Sequence, residues 1–430
     1  MRLTTKKASL KQSIVFWRNN MYISQKSFDF VEKCEQNCKE AFIRADEICF
    51  KNQLKVLSAF QKNRVQARHF YGTTGYGYDD IGRDNLAKVF ADVFHTEAAI
   101  VSPLITNGTH ALTLVLFGLL RPGDTVLSAT GDLYDTLHDV LFGDGNGSLK
   151  EFGISFDKVE LTENGLDEAG VLAAVAEKKP KVVFFQRSRG YSWRNALTTD
   201  EIGSLINKIK KIAPEIIVAV DNCYGEFVEE KEPTDVGADV VAGSLIKNAG
   251  GGLAPSGAYI AGTQKAVELI GYRLTSPSLG TEVGSYTPGY LAFYEGLFLA
   301  PSVVRNALKG SMLLGEAFEK MGYDTMPKSG GKIGDIIRSV KFDTADELVK
   351  FCQAIQEASP VDSDVVPEPW DMPGYEDKVI MAAGTFVQGS SVELSADGPI
   401  RPPYTAYMQG GLTYEHVKIA TANAVEKLLK

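Results

Sequence analysis

From Ser27 to Arg68, apolar residues recur at helical spacing, at Phe30, Cys34 and Cys38 and then at Val56, Leu57 and Phe60, on a background of Glu, Lys, Ala and Gln. The spacing predicts an amino-terminal helical arm over 1–68, of which the first 20 or so residues carry no strong pattern. The polar stretch 61–68 runs into an aromatic, glycine-rich loop, His69-Phe70-Tyr71-Gly72-Thr73-Thr74-Gly75-Tyr76-Gly77-Tyr78. Beyond it, short apolar runs alternate with longer helical periods. Residues 98–102, 125–128, 181–186, 215–220, 239–242 and 258–261 read as strands, and 108–120 and 199–212 as helices. Repeated strand–helix units of this length predict an α/β fold, a mostly parallel sheet with helices on both faces, over 69–310. Such sheets hold ligands at the carboxyl ends of their strands.

Near Gly310 the pattern changes. A helix over 312–321, a strand over 333–342 and a helix over 345–359 lead into a loop bearing Pro367, Pro369 and Pro373. Two more strands follow, over 378–383 and 391–394. These predict a smaller α+β domain over 311–430.

Composition narrows the class of protein. The chain has 430 residues, 44% apolar and 23% charged, which excludes a disordered or collagen-like chain. Its net charge of −9 opposes binding to nucleic acid or anionic lipid. Five cysteines without regular spacing do not form a secreted disulfide framework. The greasiest stretch, 111–120, is about half of the roughly 20 residues that span a bilayer, and the basic 1–12 segment is followed by no signal-type apolar core. The expectation is a cytoplasmic enzyme acting on a small molecule, with neither membrane nor nucleic-acid partner. The five histidines show no ligand spacing, so no metal site is expected.

Three segments carry candidate chemistry. An apolar strand, 216–220, ends in Asp221; taken alone, an acid there is a helix cap or a Mg²⁺ ligand more often than a cofactor contact. Another strand leads through Gly243-Ser244-Leu245-Ile246 to Lys247 and then to Ala249-Gly250-Gly251-Gly252. A lysine so placed lies in a cleft, where burial lowers its pKa and makes the amine a nucleophile suited to a Schiff base. Finally, Thr106-Asn107-Gly108-Thr109-His110 opens the most apolar helix, where small residues, free N–H groups and the positive helix end suit a phosphate. Together, a phosphate cup, a strand-end Asp and a cleft Lys are what pyridoxal 5'-phosphate requires.

Several longer runs extend this: Tyr71 to Arg83, Gly108-Thr109-His110-Ala111, Gln186-Arg187-Ser188-Arg189-Gly190-Tyr191, Asp221-Asn222-Cys223-Tyr224-Gly225-Glu226, Ser244 to Asn248, and Tyr407 to Tyr414. In order and in detail they resemble the methionine gamma-lyase-like proteins associated with aluminium resistance, relatives of the cystathionine lyases among fold type I pyridoxal phosphate enzymes. The resemblance runs from about residue 25 to the carboxyl end. It implies that Lys247 holds the cofactor and then moves the Cα proton, that Asp221 pairs with the pyridinium, and that Gly108, Thr109 and Ser244 bind phosphate. Tyr134 resembles the tyrosine that stacks on the cofactor ring and protonates a leaving thiolate. Tyr76, Tyr78 and Arg83 would reach the phosphate of a neighbouring subunit, making the protein a homo-oligomer, a dimer or a homotetramer built from dimers.

For the substrate carboxylate, Arg401 in its Pro-bounded loop is the favoured contact, with Arg187 and Arg189 as competitors. Where the family pattern has arginine, glutamine and serine before and within the cup, this chain has Ser102, Leu104 and Asn107. The resemblance implies a carbon–sulfur lyase that expels a β- or γ-substituent from an amino acid such as cystathionine, methionine or cysteine. Replacement, racemisation and a non-catalytic, cofactor-binding stress protein remain alternatives.

Overall fold

A computed structural model describes residues 22–163, 165–372 and 376–429, so the basic start of the chain and Pro373 lie outside the described residues. The helical arm consists of α1 (Gln25–Asn37) and α2 (Lys39–Lys62), separated at Cys38. Its buried stripe, with Val31, Cys34, Cys49 and Val56, follows the apolar spacing of the sequence. The next elements are α3 (Ile81–Val93), β1 (Ala98–Ser102), α4 (Gly108–Leu119), β2 (Thr125–Ser128), α5 (His138–Phe142), β3 (Ser155–Lys158), α6 (Glu168–Lys178), β4 (Val182–Gln186), α7 (Thr199–Ile212), β5 (Ile217–Asp221), β6 (Val240–Ser244), β7 (Ala258–Gly262) and α8 (Gln264–Leu274).

The seven strands form one sheet in the order β1-β7-β6-β5-β4-β2-β3. Pairing is parallel from β6 through β5, β4 and β2 to β3. β7 is the exception: it runs antiparallel to both β6 and β1. The reason lies in the connection from Ser244 to Ala258, which contains a single short 3-10 turn in place of the crossover helix that a parallel return needs. β4, β6 and β7 are buried along their whole length, and β5 from Val218 onward, as strands covered on both faces must be.

A single helix, α9 (Leu291–Lys320), leaves this sheet and enters the second one. It runs straight through position 310, where the sequence pattern suggested a change. Gly310 is not a helix breaker here: a Cβ on it would stand 2.4 Å from Val417 Cγ1, so the glycine admits the last helix against α9. The remaining elements are β8 (Asp324–Met326), β9 (Arg338–Lys341), α10 (Ala345–Glu357), β10 (Val379–Ala382), β11 (Ser395–Pro399), β12 (Thr405–Gln409) and α11 (Tyr414–Leu428). The strands form an antiparallel sheet, β10-β11-β12-β9-β8. Val340, Ala396, Ala406 and Met408 face α9, α10 and α11 across an apolar core.

Two strand assignments shift. The 391–394 segment is not a strand, because Glu393 accepts the amides of Phe386 and Val387 and ties the segment into a loop; the strand begins at Ser395. Likewise 333–337 precedes β9 and is held to the first sheet, with Asp335 on Arg189 and the Ile336 amide 3.3 Å from the Tyr224 carbonyl.

Candidate active site

The carboxyl ends of β5 and β6 are adjacent, with Asp221 in register with Ala242 on one side and with Gln186 at the end of β4 on the other. Asp221 is 6% exposed. One of its carboxylate oxygens accepts the Cys223 amide at 3.0 Å, which turns the chain back over the strand ends. Burial raises its pKa, while the charge of Lys247 and the Cys223 contacts pull the other way.

Lys247 leaves the end of β6 after Ser244, whose carbonyl accepts the Lys247 amide at 3.3 Å. Its Nζ lies 4.0 Å from the centre of the Tyr224 ring. Tyr224 holds a left-handed backbone, φ 70°, in a region costly for a bulky side chain and characteristic of over-determined functional sites. The expectation that burial would lower the Lys247 pKa is overturned. Burial does act downward, but Cys223, Tyr224, Asp221 and Glu226 surround the amine and hold it above its ordinary value.

The glycine run after Lys247 serves packing. The Gly250 carbonyl stands 2.2 Å from where a Cβ on Gly296 of α9 would be, so backbone lies on backbone and the lysine loop is fixed against the long helix.

Gly108 opens α4 opposite these strand ends. A Cβ added there would meet Cys223 Sγ at 3.4 Å and Ser244 Cβ at 3.5 Å, which places the helix start beside the turn after Asp221 and the strand end before Lys247. The helix is capped by Asn107, whose side chain accepts the His110 amide at 2.8 Å. The Gly108 and Thr109 amides belong to the first turn, ahead of any intrahelical acceptor, and carry the positive end of the helix. Thr109 Oγ1 is 2.7 Å from Thr136 Oγ1, which ties the cup to the 134–137 turn.

Tyr134 begins that turn. Its amide donates to Gln186 Oε1 at 2.6 Å, and its ring edge is 3.6 Å from where a Cβ on Gly190 would stand. Tyr134 thus sits between the loops that follow β2 and β4, on the same edge of the sheet as Asp221.

The three candidate arginines differ sharply. Arg187 is fully buried: its guanidinium donates to the Leu197 and Gly225 carbonyls, to Asn222 Oδ1 and to Glu229 Oε2 at 2.6–3.2 Å. Arg189, also buried, makes a two-pronged pair with Asp335 at 3.0 and 3.3 Å and donates to the Met326 carbonyl at 2.6 Å. Every nitrogen of both is engaged with protein, which leaves them anchoring the 187–197 loop with no fork to offer a substrate. Arg401 has a half-exposed side chain, 51%, and, among the described residues, one ion pair, to Asp377 at 2.9 Å. Its charge also bears on Asp135, the neighbour of Tyr134, so it faces the same edge of the first sheet.

Tyr76, Tyr78 and Arg83 form a separate group. The two rings stack at 5.5 Å and are 72% and 57% exposed, while Arg83 Nη1 donates to the Gly77 carbonyl at 2.9 Å. The loop is pinned to 284–285 by the Gly284 amide on the Tyr76 carbonyl and by the Ser285 hydroxyl on the Gly75 carbonyl.

Several residues at the centre escaped the sequence reading. Tyr224, under Lys247, and Glu226 stand in a quoted motif without an assigned role. Glu226 is fully buried, accepts from the Tyr259 hydroxyl at 3.0 Å, and is pushed up to about 8 by burial and by Glu232. The available signal was an acid five residues past a buried strand end, with no lysine or arginine at helical spacing to pair it.

The methionine gamma-lyase family model matches residues 27–429. YnbB of Bacillus subtilis (strain 168) is 51% identical over 388 residues, which are 90% of this chain and 92% of YnbB. A crystal structure of a carbon-sulfur lyase involved in aluminum resistance from Clostridium novyi NT matches with a TM-score of 0.91 at 49% identity, covering 94% of this chain and 96% of that one. The pyridoxal-5'-phosphate dependent protein YhfS from Escherichia coli shares the fold, at a TM-score of 0.60 and 17% identity, over 89% of this chain and 96% of its own. The seven-stranded sheet, the smaller antiparallel sheet and a family match across nearly the whole length place this chain in the methionine gamma-lyase family, within fold type I of the pyridoxal phosphate enzymes.

Proposed function

We propose that this protein is a pyridoxal phosphate-dependent carbon–sulfur lyase that removes a sulfur-bearing β- or γ-substituent from an amino acid. The observation that carries the reading is the convergence of Asp221, Lys247, Ser244 and the Gly108 turn at one edge of the sheet. The cradle fits a phosphorylated pyridine aldehyde. The Gly108 and Thr109 amides with the Ser244 hydroxyl would hold the phosphate. Asp221, buried and acidic, would hold a proton on the ring nitrogen, and Lys247 would join the aldehyde. Once bound, the ring supplies an electron sink for carbanion chemistry.

The remaining roles belong to the chain's own groups. Lys247 takes the Cα proton, and Tyr134, beside the cup through Thr136, protonates the departing thiolate. Arg401 orients the substrate carboxylate, since among the described residues its guanidinium donates to Asp377 alone, whereas those of Arg187 and Arg189 are spent on protein. The exposed Tyr76 and Tyr78 rings and Arg83 complete the phosphate site of a second copy of the chain, which makes the oligomer necessary for activity. The test is a visible spectrum of the purified, cofactor-loaded protein, followed by assay of thiol and keto acid released from cystathionine, cysteine and methionine. A coloured protein that releases thiol supports the reading; recovery of racemised amino acid alone overturns it.

A further inference from the structure

The geometry points to Arg194 as a second carboxylate-binding residue of the active site: it meets the carboxylate of the amino acid from the β4 side, while Arg401 meets it from the second sheet. This deepens the lyase reading and rests on it.

Arg194 shares the loop after β4 with Arg187 and Arg189, yet its surroundings differ. Each of those two is buried against a carboxylate, Glu229 at 2.6 Å and Asp335 at 3.0 Å. Arg194 makes no ion pair among the described residues. Its partners are backbone carbonyls: Nη1 donates to Asn195 at 3.0 Å, and Nη2 donates to Gln186 at 3.3 Å and to Ser188. Its Nε donates to nothing among the described residues. Burial pulls its pKa down to about 10, against the charge of Asp335 and together with that of Arg189, so the group is a cation at neutral pH. A partly buried cation supplied only with neutral acceptors is costly until an anion joins it. Arg338 also lacks an ion pair, but it is 1% exposed and held against Ser311 of α9, sealed from any ligand. Arg194 is only part-buried, so a ligand can reach it.

The carbonyls that hold the guanidinium fix it at the carboxyl end of β4. Gln186 there is in register with Asp221 on β5, and its side chain accepts the Tyr134 amide at 2.6 Å. The strand order then separates two places for an anion. Ser244 ends β6, on one side of Asp221, with the Gly108 turn beside it; Arg194 stands at β4, on the other side. A phosphate held at the first leaves the second for a different anion, and an amino acid brings one, its carboxylate. Arg401 borders the same region. Its charge bears on Asp135, next to Tyr134, and on Tyr407, whose hydroxyl donates at 2.6 Å to the carbonyl of Tyr191, in the Arg194 loop. Both oxygens of a carboxylate accept more than one hydrogen bond, so guanidinium groups on two sides can share it.

The experiment titrates the cofactor-loaded protein with methionine and with methioninamide, which carries a neutral amide in place of the carboxylate, reading the change in visible absorbance in wild type and Arg194→Gln. The variant should bind methionine roughly 30-fold more weakly, the range for losing a charged hydrogen-bond partner, and methioninamide nearly as wild type does. A residue that only braces its loop would weaken both ligands alike, so equal losses, or none, overturn the assignment. If Arg194→Gln fails to fold by thermal melting, Arg194→Lys decides, since it keeps the charge and loses the two-pronged fork: a several-fold fall in the ratio of methionine to methioninamide affinity supports the assignment, and an unchanged ratio overturns it. A coloured wild type that binds the two ligands equally tightly overturns the carboxylate site and leaves the cofactor reading standing. A colourless wild type, loaded with cofactor under the same conditions, brings down the lyase reading and the Arg194 assignment with it.

Discussion

At the edge of the first sheet, Asp221, Ser244 and the Gly108 turn are packed against one another, and Lys247 is wrapped by acids and an aromatic ring. The Tyr71–Arg83 region is the reverse: its tyrosines stand in solvent and stack on each other, and its arginine bonds to its own loop. Both regions bear equally dense motifs. The first is assembled by strand ends that the sheet brings together within one chain. Among the described residues the second meets nothing that uses its aromatic surface, which is why the proposed function gives it a role toward a second copy of the chain.

The largest effect that can break this contrast is Lys247→Ala. The cofactor-loaded variant should lose the visible absorbance of wild type and fall at least about 1000-fold in thiol release. Retained absorbance would mean that the buried cluster is not where the cofactor is fixed. Arg83→Ala should also be inactive, yet mixing it with Lys247→Ala, after dissociation and reassembly, should restore roughly a quarter of wild-type activity, because half of the random dimers then carry one intact composite site. Two inactive variants that never complement would put the Tyr71–Arg83 region outside the site.

The arginines sharpen the same distinction between groups that are spent and groups that are available. Arg401→Lys should raise the KM for amino acid roughly 30-fold, because the two-pronged fork is lost, with little change in melting temperature, since only one half-exposed ion pair is disturbed. Arg187→Lys should do the opposite. It leaves Asn222, Gly225 and Glu229 short of donors in a dry interior, a loss of about 3–5 kcal/mol that appears as a lower melting temperature with KM nearly unmoved. If KM rises more in the Arg187 variant, the assignment of these two residues has to be exchanged.

Why some of this was readable in the sequence and some was not follows from the range of the interactions. The strands at 98–102 and 125–128 and the helix at 199–212 depend on local apolar period and on caps such as Thr198 with Glu201, and the structure has them at those positions. Asp221, Ser244 and Lys247 are legible as strand-end residues because a parallel sheet aligns such ends without further instruction. The direction of β7 was not legible, because it depends on how the 245–257 connection folds. The continuation of α9 through Gly310 depends on a helix more than 100 residues later in the chain. The fates of the arginines were least visible of all: Arg187 and Arg189 differ from Arg401 only in partners such as Glu229 and Asp335, which lie 42 and 146 positions away from them. The Lys247 pKa was misread for the same reason, since desolvation can be inferred from an apolar strand but the surrounding acids cannot.

The smallest expected effect concerns the interior side of the buried cluster. Glu226 keeps its proton up to about 8, because burial and the neighbouring Glu232 carboxylate disfavour its charge, against an ordinary value of 4.5. Between those two values the folded chain holds a proton that the unfolded chain releases. Stability contributed by the neutral acid is therefore complete at low pH, declines as pH rises from 4.5, and is gone above about 8. Glu226→Gln is neutral at every pH and retains an acceptor for the Tyr259 hydroxyl. On raising the pH from about 6 to about 9, the wild-type melting temperature should fall several degrees more than that of the variant. The exposed Tyr76→Phe variant should track wild type in the same scan. Parallel curves for wild type and Glu226→Gln would show that Glu226 is already ionised near neutrality, and would turn the pocket beneath Lys247 from one that stores a proton into one that stores a charge.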